Sequence, residues 1–213
     1  MNDATNDQSL DLAAMPDSYL SDAQDPVGLR ILAAAEAQFR DLGIRRSSME
    51  DIAQRAGVSR ITVYRRFENK ERLVEHVFLH EAGVLMEHYL HSVRSVDTLE
   101  GRLAEGFAAT LTAVHRHPLL KTFLVTEPER VRALFAASND NPMFTFLVNA
   151  LRYEQENGAI APDVDIEIMA ELYSRITVSF FITPVSKIDL ENEDEIRAFA
   201  LRYLVPMLGI GRV

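Results

Sequence analysis

The sequence predicts an all-α fold: an N-terminal three-helix head with a helix-turn-helix, joined by a long helix to a helical body. Three observations predict it. From Pro26 onward apolar residues recur at intervals of three and four, the period of an amphipathic helix. The breaks between these runs carry helix start and stop residues, with neither a β-hairpin signal nor an internal repeat. Composition is that of an ordinary globular chain, with 47% hydrophobic and 25% charged residues in 213, enough for a sizeable core. No uninterrupted apolar run approaches the ~18 residues of a membrane helix. Cysteine is absent, which excludes disulfides, thiolate metal ligands and a cysteine nucleophile.

Residues 1–25 hold six Asp and no basic residue, and they lack periodic apolar spacing. They are expected to form a disordered acidic tail, with an autoinhibitory or partner-binding segment as the alternative. Without a basic start or an apolar stretch they do not resemble a secretion signal, so a cytoplasmic location is expected. Pro26 can open a helix whose stripe is Leu29, Ile31, Leu32, Ala35, Phe39 and Leu42, and Gly43 ends it. Ser48 stands three residues before Asp51, a capping-box-like start. Gly57 supplies the positive φ of a tight turn, and Ser59 caps a helix reaching about Phe67. Asn69 caps a longer helix from Lys70 to about Val93. Further helices are expected near 98–115, 118–125, 128–136, 142–157, 165–183 and 193–208. Their boundaries are His117-Pro118, Glu127-Pro128, Asn141-Pro142, Asn157-Gly158 and Pro184. The expected organisation is a tail (1–25), a head (26–75) and a body (76–213).

Net charge is −10, yet its distribution is uneven: −6 over residues 1–25, +3 over 26–75 and −7 over 76–213. The head is the one basic segment. A local basic surface can hold phosphate while an acidic remainder keeps the protein soluble.

The segment SSMEDIAQRAGVSRITVYRRFENKERLV has the pattern of a helix-turn-helix. Ile52, Ala53 and Ala56 line one short helix, Val58 sits in the turn, and Val63 and Phe67 face back from the second. That second helix then presents Arg60, Ile61, Thr62, Tyr64, Arg65 and Arg66 outward. Arginine pairs bidentately with guanine or phosphate, Thr bonds a base edge or touches a thymine methyl, and Tyr and Lys hold phosphates.

The run from Asp51 to Leu73 resembles the DNA-binding domain of the TetR family of transcriptional regulators. It carries I-A-x-x-A-G-V-S, T-x-Y-x-x-F and K-x-x-L in register, preceded by Phe39-Arg40-Asp41-Leu42-Gly43. The resemblance covers residues 26 to about 75; beyond residue 80 it is one of helix number and length. It implies that Ser48 bonds a phosphate, that Ser59, Arg60 and Thr62 face the major groove, and that Tyr64 and Lys70 hold phosphates on either side. Arg65 is a further candidate contact, since one of Arg65 and Arg66 must lie off the groove. Ile61 stands where the family often has a small residue, so the operator preference is not carried over. The tail also lacks the basic arm that some members place in the minor groove.

Two stretches of the body carry long apolar stripes: Ile166, Met169, Tyr173, Ile176 and Phe180, then Ile196, Phe199 and Tyr203. By spacing alone such stripes are more often core than interface. The resemblance implies that the last two long helices pair with those of a second copy as a four-helix bundle, giving a homodimer that reads a palindromic operator in double-stranded DNA. It further implies an effector cavity in the body. Phe107, Leu111, Phe123, Phe144, Leu147 and Tyr173, with Phe135 in the wider set, are candidate linings or else filled core. No cofactor is expected; a small hydrophobic inducer would act by favouring a conformer with wrongly spaced heads.

Other readings compete. His76 and His80, four apart, have zinc-ligand spacing and would suit a metal-responsive regulator. Against it, no Cys is available and the H-E-x-x-H order is missing. A protein-interaction module with a degenerate head is a second alternative. An enzyme is disfavoured by the lack of a glycine-rich phosphate loop or a G-x-S-x-G elbow.

Overall fold

The computed structural model describes residues 25–129, 142–183 and 185–210. Residues 1–24, most of the helix expected near 128–136 with its Phe135, and the breaks at Asn141 and Pro184 lie outside the described residues. The described residues contain helices and no strand.

The head is α1 (Pro26–Leu42), α2 (Met49–Ala56) and α3 (Arg60–Phe67), and α4 (Lys70–Val93) leads from it into the body. Asp25 belongs to α1 rather than to the tail. Its carboxylate accepts the Val27 N–H, and Pro26 fills the first turn, where a missing N–H costs nothing. Ser48, Ser59 and Asn69 cap α2, α3 and α4 by accepting the N–H of Asp51, Thr62 and Arg72. Between α2 and α3 Gly57 sits at φ 64, ψ 36, the left-handed region where a Cβ is costly. Between α3 and α4 the chain turns at Glu68, at φ 58, ψ −55, the one described non-glycine residue with positive φ.

The body is α5 (Leu99–Arg116), α6 (Pro118–Thr126), α7 (Pro142–Glu156), α8 (Ile166–Ile182) and α9, which opens at Glu193–Phe199. The last helix is not the uniform one its periodicity predicts. It widens into a π-helical turn over Ala200–Leu204 before the short Val205–Met207 piece. Pro206 gives the reason: it has no N–H for the carbonyl four residues back, and its ring crowds that carbonyl.

α5 is the hub, packing against α4, α6, α8 and α9. α4 crosses the expected 75/76 boundary without a break, and α1 touches α6, so head and body share one continuous core from Ile31 to Ile210. α4 and α5 approach closely at Gly106, where a Cβ would fall 2.2 Å from the Tyr89 ring. Tyr89 is half-buried there, and desolvation pushes its phenol up to about 12. No helix among the described residues is long and apolar enough to cross a membrane.

Candidate nucleic-acid interface

Ile52, Ala53, Ala56, Val63 and Phe67 are buried, so the inner faces of α2 and α3 lie as the alternation of residue types predicts. α2 is also fastened from outside. Arg55 donates to Gln38 at 3.0 Å and to Asp41 at 2.7 Å, both on α1. The Arg55 hydrogen bond holds the Asp41 carboxyl below the usual carboxylate value. Sequence reasoning did not single out Arg55, because an exposed Arg on a short helix carries no signal of the partner it will find.

The face turned away from this core is basic and partly aliphatic. Arg60, Ile61 and Arg65 are exposed, Ile61 to 78%, while Thr62 and Tyr64 are half-buried. Arg60 pairs with Glu50 of α2 at 2.8 Å, and its guanidinium lies 5.1 Å from the centre of the Tyr64 ring. Arg66 turns back to pair with Asp25, while Arg65 forms no ion pair with a described residue. The Ser59 and Thr62 hydroxyls lie 2.8 Å apart within the α3 cap. Ser48 is likewise engaged: its hydroxyl donates to the Asp51 carboxylate at 2.6 Å while accepting the Asp51 N–H. This reciprocal arrangement differs from a full capping box, in which the carboxylate would reach the backbone N–H of Ser48 itself. Lys70 donates to the carbonyls of Ser47 at 2.9 Å and Arg45 at 3.3 Å, tying the start of α4 to the loop before α2. Cations, hydroxyls and an exposed aliphatic group on one short helix are groups that read base edges and backbone in a groove.

The body places the remaining candidates less simply. Ile166, Met169, Tyr173 and Ile196, expected at a dimer interface, are buried in the core of a single copy. There they cannot meet a partner. Tyr173 even spends its hydroxyl on the Leu103 carbonyl at 2.9 Å. Ile176, Phe180 and Phe199 are half-buried against that core, and Tyr203 is exposed. The two helices do leave other apolar residues exposed, among them Ile168, Leu172, Leu201 and Met207.

A cavity of about 430 Å³ lies between α5, α6 and the end of α8. Of the six expected lining residues, Leu111 borders it. Phe107, Phe123, Phe144, Leu147 and Tyr173 do not border it and pack into the core or against it. The reason is the central place of α5: Phe107 is enclosed by the rings of Tyr173, Phe180 and Phe199. Phe123 meets Phe78 of α4 edge-on at 5.5 Å. His76 lies edge-on to Phe67 at 5.2 Å, and neither it nor His80 belongs to a cluster of three metal-ligating side chains among the described residues.

Known proteins bear on this arrangement. Residues 31–77 match the family described as "Bacterial regulatory proteins, tetR family". The chain is 23% identical over 181 residues to the HTH-type transcriptional regulator UidR of Escherichia coli K12, covering 84% of this chain and 89% of that protein. It is 25% identical over 143 residues to the HTH-type transcriptional repressor KstR2 of Mycobacterium tuberculosis, covering 65% and 72%. The fold superposes on Salmonella enterica GusR with a TM-score of 0.64 at 23% identity, over 86% of this chain and 96% of that one. A helix-turn-helix with an outward basic helix and a matching family segment lead to one conclusion: residues 31–77 are a DNA-binding segment of the TetR family of bacterial regulatory proteins, set in a chain whose fold resembles that of such regulators.

Proposed function

We propose that the chain acts in the cytoplasm as a repressor, binds an inverted-repeat operator as a homodimer, and is released by a small apolar ligand. The exposed face of α3 carries this reading. Val63 and Phe67 anchor the helix, leaving Arg60, Ile61 and Arg65 turned outward with Thr62 and Tyr64 beside them. Ile61 has no partner in the core, and an exposed aliphatic group suits a thymine methyl. Ser48, Tyr64 and Lys70 flank the helix as phosphate contacts, Lys70 through whatever donor its two carbonyl bonds leave over.

A helix of eight residues reaches few base pairs, so two heads spaced about one turn of DNA (~34–36 Å) would be needed for a specific site. Exposed Leu172, Leu201 and Tyr203 on the last two long helices supply an apolar face for the second copy. The ligand would enter the cavity beside α5, whose walls include Leu111, Val114, Leu124, Phe181 and Leu190. Its volume and apolar walls suit a small molecule (~300–1,000 Å³ is usual). Because Phe181 lies on α8, filling the cavity would bias the helix that also offers the dimer face, and through it the spacing of the heads.

Selection on random duplex DNA tests the proposal. Retained sequences should enrich for an inverted repeat with wild-type protein and lose it with Tyr64→Ala. No enrichment at low salt by dimeric protein would overturn it in favour of an interaction module.

A further inference from the structure

At the seam between head and body three side chains from three elements converge: Glu36 of α1, Glu81 of α4 and His117, which joins α5 to α6. One donor atom from each lies within 4.8 Å of the other two. His117 Nε2 is 3.0 Å from the Glu81 carboxylate, and its Nδ1 accepts the Leu120 N–H at a long 3.4 Å. Glu36 pairs with Arg40 at 3.1 Å, and that guanidinium is shared with Asp41 at 3.6 Å.

Glu81 is the unusual member. It is 6% exposed on a helix face that otherwise buries Val74, Val77, Phe78 and Ala82. A buried carboxylate is costly unless neutralised, and Glu is seldom buried without a partner. The partner in contact is an imidazole, which is neutral over part of the range around pH 7. Arg40 pairs with Glu36, so the carboxylate left without a fixed positive charge is that of Glu81, whose ion-pair partner is the imidazole alone. Two carboxylate oxygens and one imidazole nitrogen form a donor set that suits a borderline divalent ion. The Glu36 and His117 side chains are 27% and 29% exposed, which leaves a route from solvent and room for a water ligand.

We propose that Glu36, Glu81 and His117 form a binding site for a divalent transition-metal ion of the zinc type, which clamps α1 of the head to α4 and to the start of α6. Coordination uses the Nε2 lone pair, so the imidazole proton resides on Nδ1 and the long contact to Leu120 is given up. The ion would bind conformers in which the three donors meet and so favour one head–body arrangement. His117 is held above the ordinary imidazole value by its hydrogen bond to Glu81, aided by the charge of Glu36 and opposed by desolvation and by Arg40. In the metal-free protein that imidazolium pairing stabilises the fold fully below the unfolded value of ~6.5 and is lost as pH rises through the raised one. Metal affinity runs the other way. Protons compete for Nε2 at low pH, so binding tightens as pH rises through the same value.

The test uses the full chain, stripped by a chelator and titrated with Zn²⁺ or Co²⁺ alone, with calorimetry and thermal unfolding as readouts and no DNA present. One ion per chain and a raised unfolding midpoint are expected, both lost in Glu81→Gln and His117→Ala. Glu36→Gln leaves the His117–Glu81 pair intact and covers the case where those variants fail to fold. It should weaken binding roughly tenfold or more, since even losing a group that merely orients a ligand has that effect. Equal affinity for wild type and Glu36→Gln, or no binding to the wild type, would overturn the proposal and leave the cluster a proton-titrating His–Glu contact. The outcome is independent of the operator reading.

Discussion

In the head, α2, α3 and α4 each begin at a residue whose side chain accepts a backbone N–H: Ser48, Ser59 and Asn69. Of these, α2 and α3 bury one narrow face and leave most of the rest in water, so a residue's place on the helix fixes what it does. In the body, α5 is enclosed by α4, α6, α8 and α9 and buries most of its circumference. There an apolar residue meets whichever neighbour lies opposite. Local chemistry therefore decides the head surface, whereas the body divides core, cavity and partner face by tertiary packing that leaves similar residues in all three.

Ile196→Ala should have the largest effect. It empties a fully buried site in α9 and should cost about 2–5 kcal/mol, read as a fall in the denaturation midpoint at every protein concentration. A loss that grew on dilution would return Ile196 to the interface and blur the contrast between regions. Gly106→Ala comes next: its Cβ would meet the Tyr89 ring, and the overpacking should cost about 1–3 kcal/mol in thermal unfolding. If Gly106→Ala were neutral, the body would be more yielding than its close packing implies. Ser59→Ala removes the α3 cap and should cost about 1 kcal/mol, with hydrogen exchange accelerating chiefly within that helix. Exchange that rose equally throughout the body would show that the head does not depend on local caps. Glu50→Gln should change stability least, by ~0.5 kcal/mol or less, because its pair with Arg60 is exposed. Freeing Arg60 should nevertheless tighten DNA binding by about two- to fivefold, a modest gain measurable by titration at fixed salt.

The same contrast explains what could be read from residues alone. Helix starts at Pro26, Met49, Arg60 and Lys70 were legible because caps and turn glycines act within a few residues. Even Asp25 was open to such a reading, as an Asp directly before a proline at the first turn. The outward set on α3 was legible too, since Val63 and Phe67 fix its orientation. What distance in sequence hid was the use of each group: Arg66 on Asp25, Arg55 on Asp41 and Lys70 on the Ser47 carbonyl. In the body, spacing identified Ile166, Met169, Tyr173 and Ile196 as one-sided, but a stripe does not say whether its neighbour is the same chain or another. Burial answered that.

Glu68 closes α3 at a positive φ that glycine would adopt at lower cost. A side chain in such a sparsely populated conformation forfeits about 1–3 kcal/mol, yet it also narrows the bends open to the two-residue elbow between α3 and α4. A glycine elbow would let α3 swing, and each approach to DNA would then have to freeze that swing. The strain at Glu68 thus acts as a sighting device: some folding energy is forgone so that the helix arrives already aimed.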